Sequence, residues 1–237
     1  MIKFPKTPRT ESIDRKYESY PVVVSEKLDG ANAAVSFTPK GEMQLQSRGH
    51  ILRGGPREAQ FSLFKSACAQ HEEQLRQLLG SKYVLFGECL YAKNRAFYDN
   101  LPSYFVTYDL YDMRSGQFLA TDTRQALLKD CPFPEAPILH RTLGKTLGSL
   151  WEHLGPSHYK TPRWQARLIE AAQRVGAPDP LPTTDDSILM EGLYVKVEDG
   201  DHVVARLKLL RPDFEKVRDD SDWHRRTLIP NRLQCDT

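Results

Sequence analysis

Apolar positions form short β-branched runs at both ends of the chain and a helical rhythm between them. Residues 20–27 (YPVVVSEK) predict a buried strand. Two further strands are predicted at 33–37 and 43–48, with Pro39-Lys-Gly41 as the turn between them. Over 57–79, Phe61, Phe64, Cys68, Leu75, Leu78 and Leu79 largely follow i, i+3, i+4 spacing, and Gly80 is a stop signal, so a helix is expected there. Residues 82–90 and 103–112 read as strands. Residues 121–176 read as mostly helical, with breaks at Pro132–Pro137 and Gly155-Pro156 and a helix start at Thr161-Pro162. A proline-rich loop over 177–186 completes that insertion. Strands at 188–198 and 202–209 follow, joined by the hairpin turn Glu198-Asp-Gly-Asp201. Strands first, helices inserted and strands last is an α+β order. One domain over 1–237 is expected, with an irregular lead-in at 1–19, a short charged tail at 211–237 and no full accessory domain.

Composition narrows the function classes. Hydrophobic residues make up 40% and charged residues 27% of 237, as in a globular protein. A net charge of +2 excludes bulk basicity, so a nucleic-acid site has to be a local patch. The sequence contains no apolar run of 18 residues and no apolar N-terminal core of a signal peptide. Cys68, Cys89, Cys131 and Cys235 are scattered without C-x-x-C spacing, which points to a reducing cytoplasm and away from disulfide or zinc frameworks. Neither G-x-x-x-x-G-K-[ST] nor a kinase signature set occurs.

The chemistry concentrates in Val24-Ser-Glu-Lys-Leu-Asp-Gly-Ala-Asn32. It sets Lys27 at the end of an apolar strand, beside a carboxylate and a glycine turn. A lysine becomes a nucleophile when its surroundings favour the neutral amine. K-x-D-G alone is weak evidence, because a turn with a solvated lysine looks the same. It strengthens because other segments follow in a fixed order.

Glu26-Lys-Leu-Asp-Gly-Ala-Asn32 resembles the nucleophile motif of covalent nucleotidyltransferases: ATP-dependent DNA ligases, RNA ligases and mRNA capping enzymes. Ser47-Arg48-Gly49, Phe86-Gly87-Glu88, Phe105-Val-Thr-Tyr-Asp109, Glu191-Gly-Leu-Tyr-Val-Lys196 and Arg206-Leu-Lys208 resemble the motifs that follow it, in order. Asn32 and the compact size are most similar to the nick-sealing and editing RNA ligase branch. The resemblance implies an adenylation domain of antiparallel sheets around an ATP cleft. It implies Lys27, Glu191, Arg206 and Lys208 as catalytic residues. It further implies nucleotide contacts from Glu26, Asp29, Gly30, Asn32, Arg48, Glu88, Phe105 and Lys208. Arg48 would contact the ribose, Phe105 would stack on adenine, and Glu88 and Glu191 would anchor Mg2+ or Mn2+. ATP is the implied co-substrate and nucleic-acid ends the partners, RNA before DNA, with an end-healing kinase or phosphatase beside it and no membrane. Cations at 206 and 208 are expected to lower the Lys27 pKa by like-charge repulsion. Arg206 departs from the usual lysine, which is not a neutral exchange.

Other readings stay open for single residues. Glu88 also reads as a strand-end carboxylate, Phe105 as a core ring, Arg48 as a solvated loop residue, and Arg53-Gly54-Gly55 as a plain turn. The loop Tyr91–Pro102 mixes Lys93 and Arg95 with Tyr91, Phe97 and Tyr98. It suits a single-stranded contact, or else tucks its aromatics inward. Trp164 with Arg163 and Arg167 reads first as core plus solvated face. For the whole chain, a DNA or RNA–DNA hybrid ligase and a non-catalytic end-binding module are the alternatives.

Overall fold

The computed structural model describes residues 1–215 and 227–235. Two antiparallel sheets face each other. The first has the order β7-β1-β8-β9, from β1 (Pro21–Lys27), β7 (Ile138–Leu143), β8 (Gly192–Asp199) and β9 (His202–Leu210). The second has the order β3-β2-β4-β5-β6, from β2 (Ala31–Phe37), β3 (Met43–Ser47), β4 (Tyr83–Cys89), β5 (Phe105–Asp112) and β6 (Gln117–Phe118). The mixed α+β architecture is as the element order predicts.

Period-two alternation decides which residues meet between the sheets. In the first sheet Val22, Val24, Leu193, Val195, Val197 and Leu209 point outward into a core with Leu147, Leu150 and Met190. Lys27, Tyr194, Lys196, Arg206 and Lys208 therefore face inward. In the second sheet Ala33, Val35, Leu85 and Cys89 pack outward with Phe64, Cys68, Leu75 and Leu79 of α1 (Ser62–Gln70) and α2 (Glu72–Leu79). Asn32 and Glu88, which pair across β2 and β4, face inward. The layer between the sheets thus mixes these polar groups with an apolar cluster of Phe4, Ala34, Val84, Phe86 and Phe118.

The nucleophile turn joins the sheets. Lys27 ends β1 and Ala31 begins β2, so the chain crosses the gap in three residues. Gly30 makes the crossing possible: a Cβ there would lie 2.5 Å from the Cys89 carbonyl oxygen and 2.8 Å from Leu90 Cδ2. Gly192 is required in the same way, since a Cβ would fall 2.0 Å from the Leu209 carbonyl oxygen.

Three sequence expectations change. The helix expected over 57–79 begins as a 3-10 turn, Pro56–Phe61, and divides at His71 into α1 and α2. The insertion at 121–186 is not mostly helical. Beside α3 (Thr121–Leu127) and α4 (Trp164–Arg174) it contains β7, which pairs with β1 along Pro21–Ser25. The lead-in is ordered against the sheets. Phe4 packs on Phe86, Tyr108 and Phe118, with ring centroids 5.0–5.8 Å apart, and Arg9 bridges Lys208. The expected tail opens with the short α5 (Pro212–Glu215), and its stretches 216–226 and 236–237 lie outside the described residues.

Candidate active site

A cleft of about 1070 Å³ opens between the sheets. Lys27, Gly30, Asn32, Arg48, Glu88 and Lys208 all line it. Four segments of the sequence, far apart in the chain, therefore converge on one space.

Lys27 Nζ donates to Glu191 Oε2 at 2.9 Å and to its neighbour's Leu28 carbonyl at 3.3 Å. Burial opposes the charged amine, but Glu191, Glu88 and Asp29 outweigh it, so the Lys27 pKa lies above the ordinary lysine value. This reverses the sequence expectation. The like-charge effect falls on Lys208, whose pKa is lowered by burial and by Lys27, Arg9 and Arg48. Burial pushes Glu88 up to about 8 and Glu191 up to about 7, against the pull of Lys27. Glu191 is buried, held one residue before β8 while its carbonyl accepts from Arg211 N–H at 2.9 Å.

Other motif residues are placed differently from expectation. Phe105 is 1% exposed, with its ring on Phe64 at 4.5 Å and Phe133 at 5.0 Å, on the outer side of the sheet. It is a core ring and cannot stack on a base in the cleft. A β-bulge explains the neighbouring residues: Thr107 pairs with Gly87 and Asp109 with Phe86, leaving Tyr108 as the extra residue. Tyr108 consequently lines the cleft, together with Tyr194. Arg206 lines a different groove, behind the cleft, in which its guanidinium lies over Phe118 at 3.7 Å and Phe4 at 4.8 Å and 3.6 Å from Asp109. An arginine so engaged is part of the scaffold.

Two acidic motif residues also have structural partners. The Glu26 carboxylate accepts from Ser157 Oγ at 2.5 Å and from His158 N–H at 3.0 Å, which ties the inserted segment to β1. The Asp29 carboxylate accepts from Asn94 Nδ2 at 3.0 Å and from the Arg95 and Ala96 amides at 2.7 Å each. Glu26 nevertheless lines the cleft, whereas Asp29 does not. Asn32 Nδ2 donates to the Tyr108 hydroxyl, while its Oδ1 is buried without a hydrogen-bond partner among the described residues.

The loop at 91–102 tucks its aromatics inward: Phe97 is 0% and Tyr98 1% exposed, so neither offers a face to a single strand. Trp164 joins Phe97 and Leu168 in the core, and Arg167 donates to the Asp99 carbonyl at 3.0 Å. The turn at 53–55 is more than a plain turn. Its Gly54 N–H donates to Glu58 at 2.9 Å, and Gly54, Gly55 and Glu58 line the cleft. Sequence reasoning missed Phe4, Thr7, Tyr108, Tyr194 and Glu58 as cleft residues. Inward parity within a strand already predicted would have found Tyr194.

Among the described residues no cluster of three or more His, Cys, Asp or Glu side chains is arranged as a ready metal site. Glu88 and Glu191 nevertheless fit a hard divalent ion. Glu88 lines the cleft and Glu191 lies against Lys27 beside it; both are oxygen donors whose ionisation burial opposes, and Mg2+ fills its remaining positions with water.

The RNA ligase family profile matches residues 20–210, most of the chain. The chain belongs to the RNA ligase family. No curated protein matches the sequence. Among solved RNA ligases, an archaeal ATP-dependent enzyme is 16% identical with a TM-score of 0.53, over 90% of this chain and 49% of its own. A Naegleria gruberi RNA ligase mutant with ATP and Mn is 20% identical with a TM-score of 0.58, over 90% of this chain and 59% of its own. A candidate ATP-dependent DNA ligase from Aquifex aeolicus has a TM-score of 0.51 at 16% identity, over 90% of this chain and 51% of its own. These likenesses show a shared fold. This RNA ligase family member spans about half the length of the solved proteins it resembles.

Proposed function

We propose that the chain is a single nucleotidyltransferase domain acting as an ATP-dependent polynucleotide ligase, with RNA ends as substrate and Lys27 as the residue that carries AMP. The observation that supports this most directly is Lys27 Nζ at the head of the cleft, 2.9 Å from Glu191, with Lys208 and Glu88 lining the same space. In the first step the Lys27 Nζ–phosphorus bond forms at the α-phosphate of ATP. The bond from that phosphorus to the bridging oxygen breaks, and pyrophosphate leaves with the electron pair. Nζ gives up a proton, for which the Glu191 carboxylate is the nearest acceptor. Lys208 supplies positive charge for the phosphoryl oxygens, and Arg48, which lines the same cleft, contacts the ribose. A divalent ion, when bound by Glu88 and Glu191 through oxygen and water, adds Lewis-acid charge there.

The adenylate then passes to a 5′-phosphate, and a 3′-hydroxyl attacks to seal the strand. Ends of that kind are products of kinase and phosphatase reactions, which defines the class of partner enzyme. The four cysteines are free thiols, in keeping with a reducing cytoplasm. Among the described residues no helix is long and apolar enough to cross a membrane.

Incubation with a divalent metal and α-labelled ATP, followed by a denaturing gel, tests the reading. Acid-labile label on the protein, absent from Lys27→Ala, is expected. No label with any divalent metal would refute it and leave a non-catalytic end-binding module. Sealing of nicked RNA, DNA and hybrid duplexes then separates RNA from DNA substrates.

A further inference from the structure

The loop at 91–102 does more than bury its aromatics, because the nucleophile turn hangs on it. Asp29 N–H donates to the Tyr98 hydroxyl at 2.8 Å, and the Asp29 carboxylate accepts from Asn94, Arg95 and Ala96. Asp29 stands two residues after Lys27. On its other side Lys27 is fixed by β1, through its pairing with Gly192. The aim of Nζ into the cleft therefore depends on where the loop places Asp29.

Irregular backbone of this length does not keep one shape on its own. The stretch 229–234 holds it. Lys93 N–H donates to the Ile229 carbonyl at 2.8 Å, and Asn231 N–H donates to the Tyr91 carbonyl at 2.8 Å, on the outgoing limb of the loop. Arg232 N–H donates to the Tyr98 carbonyl at 2.9 Å, and Leu101 N–H donates to the Arg232 carbonyl at 3.0 Å, on the returning limb. The side chain of Asn231, 1% exposed, joins the two limbs. Its Oδ1 accepts from Tyr98 N–H at 2.8 Å, and its Nδ2 donates to the Leu90 carbonyl at 2.7 Å, just past β4. An apolar side chain there would leave the Tyr98 amide and the Leu90 carbonyl without this partner.

We propose that Asn231 is a positioning residue for the attack of Lys27 on the α-phosphate. It fixes the Tyr98 backbone, the Tyr98 hydroxyl fixes the Asp29 amide, and Asp29 sets the turn from which Nζ projects. The inference rests on Lys27 being the nucleophile. Attack requires reacting atoms about 3–3.5 Å apart and aligned, and a displacement of about 1 Å costs about 100-fold. A relaxed loop therefore slows bond formation more than it weakens ATP binding. Arg48, Tyr108 and Lys208, which line the cleft from other elements, keep their places.

The test compares the parent, Asn231→Ala and Tyr98→Phe in the full chain, well below each melting midpoint. In Asn231→Ala the rate of lysyl-adenylate formation at saturating ATP is expected to fall about tenfold or more, while the ATP concentration for half-maximal rate stays within about twofold. Tyr98→Phe removes only the hydroxyl that holds the Asp29 amide and should give a loss of the same kind. The double variant should label no more slowly than the worse single one, because both act through one path. Glu170→Ala frees the same stretch from α4 by removing the partner of Arg232 at 3.0 Å, and should keep the labelling rate. If the parent labels and Asn231→Ala labels at the parental rate, with only its melting temperature lowered, Asn231 is a structural staple and the inference fails while the proposed function stands. Losses that multiply in the double variant also overturn it. If Asn231→Ala does not fold, Tyr98→Phe decides, and parental labelling there would refute the inference. A parent that takes no label removes the proposed function, and the inference with it.

Discussion

Two clusters of buried charge lie on the inward faces of the same sheets, and they differ in what their charges are free to do. The cluster at the cleft holds Lys27, Glu191, Glu88 and Lys208, with carboxylates raised to about 7 and about 8 by burial. The deeper cluster holds Asp109 between Lys196 at 2.7 Å and Arg206 at 3.6 Å, with the Tyr194 hydroxyl donating to it at 2.6 Å. Each deep group lies against an opposite charge or a hydroxyl, although Arg206 Nη1 has no hydrogen-bond partner among the described residues. At the cleft, two carboxylates share one lysine and the second lysine is repelled, so a polyanion and a cation would both relieve it. Motif residues divide between the clusters: Lys27, Glu191 and Lys208 go to the cleft, and Asp109, Lys196 and Arg206 to the scaffold. A motif marks that a residue is needed without saying for which of the two purposes.

The sharpest contrast lies between Lys208 and Asp109. Lys208→Ala should lower the rate of lysyl-adenylate formation about 100-fold or more, as loss of a charged transition-state contact does. It should leave the melting temperature unchanged, since a cation repelled by Lys27 is removed. Asp109→Ala should instead cost about 3–5 kcal/mol in urea unfolding, because Lys196 and Arg206 stay buried without their carboxylate. An Asp109→Ala protein of parental stability that fails only in labelling would dissolve the distinction.

Smaller effects refine it. Phe105→Leu should cost about 1–2 kcal/mol through looser packing against Phe64 and Phe133. The ATP concentration for half-maximal labelling should stay the same, whereas a rise would return the ring to the nucleotide. Glu88 gives the most diagnostic change. Its folded pKa is raised from the ordinary 4.5 to about 8, so the native state keeps a proton that the unfolded chain releases. Between those values the native state binds more protons and stability falls as pH rises, with the full penalty above the folded pKa. Glu88→Gln should raise the melting temperature by about 5 °C near pH 9 and hardly at all near pH 4. An equal shift at both would assign the effect to packing.

Much of the fold was legible because its apolar periodicities are strong. The runs at 20–27, 82–90 and 103–112 are buried strands within a residue or two of expectation. What was not legible depends on partners distant in sequence. β7 (ILHRTL) is a half-exposed edge strand with polar residues, so its own pattern is faint and its pairing with β1 supplies the evidence. Phe105 stands within a motif, but a bulge two residues on decides which side chains reach the cleft. Phe4 and Thr7 lie in a proline-marked stretch with no periodicity, and only the packing of that stretch between the sheets brings them to the cleft. The nucleophile turn was legible because Lys27, Asp29, Gly30 and Asn32 are locally constrained, with Gly30 fixed by the approach of Cys89.

The central claim is that Lys27 carries the nucleotide. Mass spectrometry of the intact chain after incubation with ATP and a divalent metal, followed by peptide mapping, tests it most directly. The account predicts a single AMP adduct on the peptide containing Lys27, absent when pyrophosphate is added afterwards. An adduct on Lys208 or any other lysine, with Lys27 unmodified, would contradict it.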